Sequence, residues 1–148
     1  MKILVTGANG MVGTALVNNL KTIQDGRNKT RPNIHIEEIY EYDIDNTLED
    51  LDKYCKDCDF VFNLAGVNRP ENVEDFMNGN FGFASILLDS LKKYNNKATI
   101  MLSSSIQATL AGRFGTSEYG KSRKQEKIFS LIILKKQVQK LLYIVFQI

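Results

Sequence analysis

Apolar residues come in short runs separated by amphipathic stretches. Residues 2–6 (KILVT) predict a buried strand, and residues 11–22 place Met11, Val12, Ala15, Leu16 and Leu20 at helical spacing. Residues 24–33 are polar, contain Gly26 and Pro32, and predict a loop. Residues 34–42 (IHIEEIYEY) predict a second strand. Residues 47–56 predict a short helix, capped by Asn46 or Thr47 and opened by acidic residues. A third strand is expected over 59–64 (DFVFNL) and a fourth over 98–103 (ATIMLS). Between them residues 72–94 are largely helical, with an apolar face from Phe81, Ile86, Leu87 and Leu91. Residues 104–117 predict a loop, a helix starts at Glu118 and runs into the 130s, and LLYIVF (141–146) predicts a fifth strand.

Alternating helices and near-continuous apolar strands predict a parallel sheet with both faces covered. A right-handed crossover at each step makes it doubly wound. The expected class is therefore α/β, a Rossmann-like doubly wound parallel sheet, incomplete at the C-terminus.

Composition narrows the function classes. The chain has 148 residues, enough for one domain, with 43% hydrophobic and 24% charged residues. A net charge of +2 argues against nucleic acid or an anionic membrane as the main partner. No apolar run reaches the roughly 20 residues of a membrane span. The opening MKILVTG lacks the apolar core of a signal peptide, so a cytoplasmic location is expected. Cys55 and Cys58 form a C-x-x-C pair. With His35 the one histidine, a zinc site cannot be completed from Cys and His of this chain. Two reduced cysteines at a helix end are expected, and no metal site.

The turn between the first strand and helix, GANGMVG, carries the first candidate chemistry. A first glycine permits the tight turn, a second lets backbone approach a pyrophosphate, and a third lets helix pack on strand. The pyrophosphate then meets free N–H groups at the positive end of the helix dipole. Gly7, Asn9, Gly10, Met11, Val12 and Gly13 are the candidate cofactor-binding residues of this turn. Asp43 ends the second strand, where a carboxylate can accept hydrogen bonds from a ribose 2′-hydroxyl and repels a 2′-phosphate. That favours NAD(H), with Asp45 competing for the role.

The G-x-x-G-x-x-G spacing, NLAG (Asn63 to Gly66), Asn80 before a helical apolar run, LSSS (Leu102 to Ser105) and Tyr119 in YGKSR together resemble the extended short-chain dehydrogenase/reductases, the NAD-dependent epimerase/dehydratase family. The resemblance implies that Leu64, Ala65 and Gly66 line the cofactor. It also implies that Ser105 holds a substrate carbonyl and that Tyr119 donates the proton and contacts the cofactor. Arg123 stands at the position where the family has lysine. It keeps a cation but is bulkier and planar, so impaired activity is expected unless Lys124 or Lys121 compensates.

The longer blocks LAGVNRPE, LSSSIQAT and YGKS resemble a branch that builds capsular-polysaccharide precursors. That likeness implies transfer of hydride from NADP(H) to C4 of a 4-keto UDP-deoxy-N-acetylhexosamine. It further implies a homodimer, a UDP-sugar substrate, and a zinc-binding cupin domain fused to the reductase. Asn68 and Arg69 approach the substrate or form a rigid loop around Pro70, and Ser104 joins Ser105 as a weaker substrate candidate.

From Gln125 the chain leaves this pattern. Back-translating the tail and restoring one A in its first codon gives QGENIFFNYSKKTGAKVAIYRFPN, which regains the family's Gly-Glu and Tyr-Arg-Phe-Pro-Asn features. The expectation is an NAD(P)-binding domain over 1–125 and a frameshifted tail over 126–148, without the substrate and cupin domains. The alternative for packing is that 126–134 continue the helix and LLYIVF adds a strand. Three functions remain open on these residues: a reductase, a non-catalytic dinucleotide-binding module, or an inert remnant.

Overall fold

The computed structural model describes residues 1–30, 33–67, 72, 74–105, 116–137 and 141–146. Side chains of residues 105, 132–137 and 141–146 are outside that description. Strands β1 (Lys2–Thr6), β2 (Glu38–Tyr42), β3 (Phe60–Asn63), β4 (Thr99–Ser105) and β5 (Leu141–Phe146) form one sheet in the order β2-β1-β3-β4-β5. Every pairing is parallel.

The unbroken apolar run of β1 has a direct cause. Ile3 and Val5 point to one face of the sheet and pack with Val17, Leu20, Ile36 and Ile39. Leu4 points to the other and packs with Leu51, Val61, Leu87, Leu91 and Ile100. Helix α1 (Met11–Gln24) covers the first face, and α2 (Leu48–Asp57) and α4 (Phe83–Lys93) cover the second. Both faces are buried, so alternation disappears from the strand.

Local signals explain the boundaries. Thr47 caps α2: its Oγ1 accepts from the Asp50 N–H at 3.2 Å, and the Asp50 carboxylate accepts from the Thr47 N–H at 2.9 Å. Such a capping box stabilises a helix start by about 1 kcal/mol. Cys55 and Cys58 are free and buried at the end of α2. Burial pushes both thiols up, that of Cys58 to about 12. Asn96 donates to the carbonyls of Cys55 and Cys58 at 2.9 and 2.8 Å, which ties this corner to the loop before β4.

Four expectations are corrected. Strand β2 begins at Glu38, not residue 34. Residues 34–37 instead run beside the N-terminus, where the Met1 ammonium donates to the His35 carbonyl and the Glu37 N–H donates to the Met1 carbonyl. The inward face of α1 is Gly13, Val17 and Leu20, whereas Met11 and Val12 are exposed. Gly13 sets that face, because the helix leans on the turn through a residue with no side chain. In α4 the buried positions include Leu87, Leu88 and Leu91, and Ile86 faces out. Finally, the strand after α4 runs on through Ser104 and Ser105. Helix α5 (Glu118–Gln137) continues through residues 126–134, and β5 pairs with β4.

The helix before α4 is not regular. A short α3 (Glu74–Phe76) passes into a π-helical segment, Met77–Gly82, and then into α4. Such wide turns cluster at functional sites because they re-aim one side chain. Here that side chain is Asn80, which is almost fully buried.

Candidate active site

The strand order creates the crevice. The chain starts in the middle of the sheet, steps outward to β2, and then crosses to β3 on the other side of β1. Connections therefore leave the ends of β1 and β3 in opposite directions, the place where α/β sheets bind ligands. Thr6 and Asn63 are paired at those ends, so Gly7 and Leu64 emerge side by side.

Backbone approach there is close. Gly7 has φ +70°, and a Cβ on it would stand 2.7 Å from the Ala65 nitrogen. A Cβ on Gly13 would overlap the Gly7 carbonyl oxygen and stand 2.8 Å from that of Ala8. Gly10 precedes α1 with no side-chain cap, and no acidic residue occupies the first turn. The N-terminal N–H groups of α1 are thus left for an anion.

Between this turn and the end of β3 lies a cavity of about 440 Å³, walled by Gly7, Gly10, Asp43, Leu64, Ala65 and Gly66, with Tyr42, Ile44, Val67, Gly79 and Phe83. The Asp43 carboxylate is fixed on that wall. It accepts from the Asn9 N–H at 2.7 Å and the Ile44 N–H at 2.8 Å, and the Asn46 side chain accepts from the Asp43 N–H at 2.8 Å. Asp43, and not the exposed Asp45, lines the cavity. An uncapped helix end, glycine-only approach and an oriented carboxylate fit a dinucleotide.

The catalytic candidates sit on the far side of Gly66. Tyr119 is half-buried, with its ring 5.7 Å from that of Phe76. The Arg123 guanidinium carbon lies 5.6 Å from the Tyr119 ring centre. A Cβ on Gly66 would collide with Arg123 Nη2, so the guanidinium packs directly against the cavity wall. Lys121 instead pairs with Glu118 at 2.6 Å, and Lys124 is exposed. Arg123 is therefore the buried cation of this helix, among the described residues.

A polar network fixes it. Arg123 Nη1 donates to Glu126 Oε2 at 2.9 Å. Asn63 Nδ2 donates to Glu126 Oε1 at 3.3 Å, and Thr6 Oγ1 donates to Asn63 Oδ1 at 2.6 Å. Burial opposes the guanidinium charge, but Glu126 and Tyr119 outweigh it and hold the Arg123 pKa above its ordinary value. Burial also pushes the Glu126 carboxyl up, to about 7, against the pull of Arg123. Asn80 adds a second clip: it accepts from the Val67 N–H at 2.8 Å and donates to the Val67 carbonyl and Ser122 Oγ, each at 3.0 Å. The β3 loop and α5 are thereby joined.

Ser105 ends β4 opposite Phe146. Ser104 Oγ is buried without a hydrogen-bond partner among the described residues. Asn68 and Arg69 lie outside the described residues. Sequence reasoning did not assign roles to Thr6, Asn63 or Glu126. The signal for the first two was a polar residue ending each of two apolar strands, and for Glu126 its place one helical turn after Arg123. Among the described residues no three His, Cys, Asp or Glu side chains come together to hold a metal ion. No helix among them is long and apolar enough to cross a membrane.

The chain is 34% identical over 118 residues to the UDP-2-acetamido-2,6-beta-L-arabino-hexul-4-ose reductase of Pseudomonas aeruginosa, covering 80% of this chain and 29% of that protein. Among solved structures, the capsular polysaccharide assembling protein CapF of Staphylococcus aureus superposes with a TM-score of 0.72 at 28% identity, over 97% of this chain and 33% of that one. The UDP-glucuronic acid 4-epimerase of Bacillus cereus, solved with NAD, gives a TM-score of 0.74 at 18% identity over 99% of this chain and 57% of that one, which is a likeness of fold. The chain thus spans about a third of the length of the first two relatives. The model of the NAD dependent epimerase/dehydratase family matches residues 3–127, and the chain belongs to that family.

Proposed function

We propose that the chain is the nucleotide-binding, tyrosine-bearing part of a nucleotide-sugar oxidoreductase. Its substrate would be a 4-keto UDP-deoxy-N-acetylhexosamine, reduced at C4 during synthesis of a capsule or surface polysaccharide precursor. The observation that carries the reading is the pairing of a glycine-walled cavity with the Tyr119–Arg123 couple that packs behind its Gly66 wall. The likeness to a curated reductase of this kind supports the substrate class.

The nicotinamide, when bound, supplies the hydride. Tyr119 holds the proton that the substrate oxygen takes up. The Arg123 guanidinium, 5.6 Å from the ring centre, is the cation placed to face the negative charge that the transfer leaves behind. Ser105 would supply a hydroxyl to orient the carbonyl, a role supported by its place at the carboxyl end of β4. The glycine turn and the α1 terminus take the pyrophosphate.

The family likeness points to NADP(H), but the Asp43 wall favours NAD(H). Its carboxylate is held in place by two backbone N–H groups and would face a 2′-phosphate with like charge. Fluorescence titration is expected to show tighter binding of NADH than of NADPH, and Asp43→Asn to narrow the gap. Tighter NADPH binding by the unaltered chain would overturn the assignment. Turnover of a 4-keto UDP-sugar tests the reaction. Cofactor binding without turnover would favour the non-catalytic module, for which arginine at the lysine position is the supporting observation. Failure to bind either cofactor would favour the remnant.

The family match stops at residue 127, which supports reading 126–148 as a frameshifted tail. Resequencing the coding DNA from codon 120 onward is expected to find one more base near codon 125. An unchanged reading frame would overturn that proposal. A cytoplasmic location and a homodimer stand as further parts of the reading.

A further inference from the structure

Two Asn-Gly pairs stand in the chain, Asn9–Gly10 and Asn78–Gly79. Such a pair can react with itself. The glycine's backbone nitrogen attacks the asparagine's side-chain carbonyl carbon, and no Cβ on the glycine hinders the approach. A new C–N bond closes a succinimide ring, and the side-chain nitrogen leaves as ammonia. Water then opens the ring at either carbonyl, which gives aspartate or isoaspartate. One water is consumed, one ammonia is released, and nothing is oxidised or reduced.

The attacking nitrogen must turn toward the side chain, so the local backbone decides whether the ring closes. The fold treats the two pairs differently. Asn78–Gly79 lies inside the π-helical segment. A Cβ on Gly79 would collide with Val67 Cγ2, so this glycine is pressed against a neighbouring side chain. Asn80, next along, is buried and tied to both Val67 backbone groups and to Ser122. Asn9–Gly10 instead sits in the turn between β1 and α1, and both residues are exposed. The Asn9 side-chain amide has no hydrogen-bond partner among the described residues. A Cβ on Gly10 would meet only the Gly7 carbonyl oxygen, at 3.3 Å. The attacking nitrogen is restrained by one hydrogen bond, from the Gly10 N–H to that same oxygen at 3.1 Å.

We propose that Asn9 is a self-modification site: in the folded chain its amide is lost through attack by Gly10, and the carboxylate left behind closes the turn to a dinucleotide. The second half rests on the reading of the glycine turn as the pyrophosphate seat and deepens it.

The consequence follows from the position. Asn9 comes two residues before the first residue of α1, whose N-terminus has no side-chain cap. The positive end of the helix favours a negative charge there. A carboxylate at position 9 supplies that charge from within the chain and repels the pyrophosphate. Isoaspartate does more. It routes the backbone through the former side chain and adds one carbon between residues 9 and 10, which breaks the register of Gly10 with Gly7.

The test follows the full chain at neutral pH, once folded and once unfolded in guanidinium chloride, by peptide mass mapping. Each lost amide reads as a gain of one mass unit. Relative to its rate in the unfolded chain, Asn78 is expected to be slowed by folding several times more than Asn9. An Asn9 that stays intact in the folded chain, or is slowed as much as Asn78, would overturn the site. The modified chain carries one more negative charge and is separated by ion exchange. It is expected to bind NADH about tenfold more weakly than the unmodified fraction, and Asn9→Asp to reproduce a weakening of that order. Equal affinity of the two fractions would overturn the closing of the turn. If the unmodified fraction binds no dinucleotide, the reading of the glycine turn falls and the closing with it, while the mass map still decides the site.

Discussion

On the function proposed above, Tyr119→Phe is expected to lower kcat for reduction of a 4-keto UDP-sugar by about 10²–10⁴-fold, the range typical of losing a general acid. Affinity for the dinucleotide should hardly change. The substitution removes one hydroxyl and leaves the ring that packs 5.7 Å from Phe76 and 5.6 Å from the Arg123 guanidinium. The fold and the Arg123–Glu126 pair are therefore retained, and the loss falls on the chemical step. Steady-state kinetics together with cofactor titration separate the two effects. A variant that kept most of its kcat would place the proton donor elsewhere. Equal loss of kcat and of cofactor binding would mean that the ring, and not the hydroxyl, matters.

The second large effect concerns Gly13. Gly13→Ala is expected to destabilise the chain and to abolish measurable dinucleotide binding. The added Cβ would overlap the Gly7 carbonyl oxygen and crowd the Ala8 oxygen at 2.8 Å. Both obstacles are backbone, so no side chain can swing away. Overpacking of this kind costs about 1–3 kcal/mol, or more where nothing yields. For a chain of this size that is a fall in Tm of roughly 3–10 °C. The helix can relieve the clash only by moving its N-terminus away from the turn, which removes the anion site. Thermal melts and NADH titration of the same sample check both parts. Normal binding at a normal Tm would show that α1 does not set the site. By contrast a Cβ on Gly10 would meet only the Gly7 oxygen, at 3.3 Å, so Gly10→Ala should disturb the fold less than Gly13→Ala.

The two predictions draw on different kinds of information. The glycine turn was legible in the residues, because φ +70° at Gly7 and the contact at Gly13 are demands that only glycine meets. The strands were legible for a similar reason: a strand buried on both faces must be apolar through its middle, and β1 is so at Ile3, Leu4 and Val5. The start of β2 and the inward face of α1 were not. Residues 34–37 have strand-like composition, but their partner is the N-terminal segment and not the ladder. Met11 and Val12 have core-like composition but lie exposed in the first turn of α1, beside the glycine turn.

The residues by themselves determined the α/β class, the order of elements, the glycine-rich turn after β1 and the identity of the chemical groups at Tyr119, Arg123 and Asp43. Those follow from local rules of backbone geometry, hydrophobic period and side-chain chemistry, which act over a few positions. Only the tertiary structure decided that Asp43 and not Asp45 walls the cavity, that Asn80 ties Val67 to α5, and that Glu126 braces Arg123 against the sheet. Each of those contacts except Glu126–Arg123 joins residues far apart along the chain or chooses between near neighbours by the direction a strand end takes. Burial then gives them their strength, since a charge or amide removed from water must find its partner inside the protein. No local pattern encodes which partner that will be.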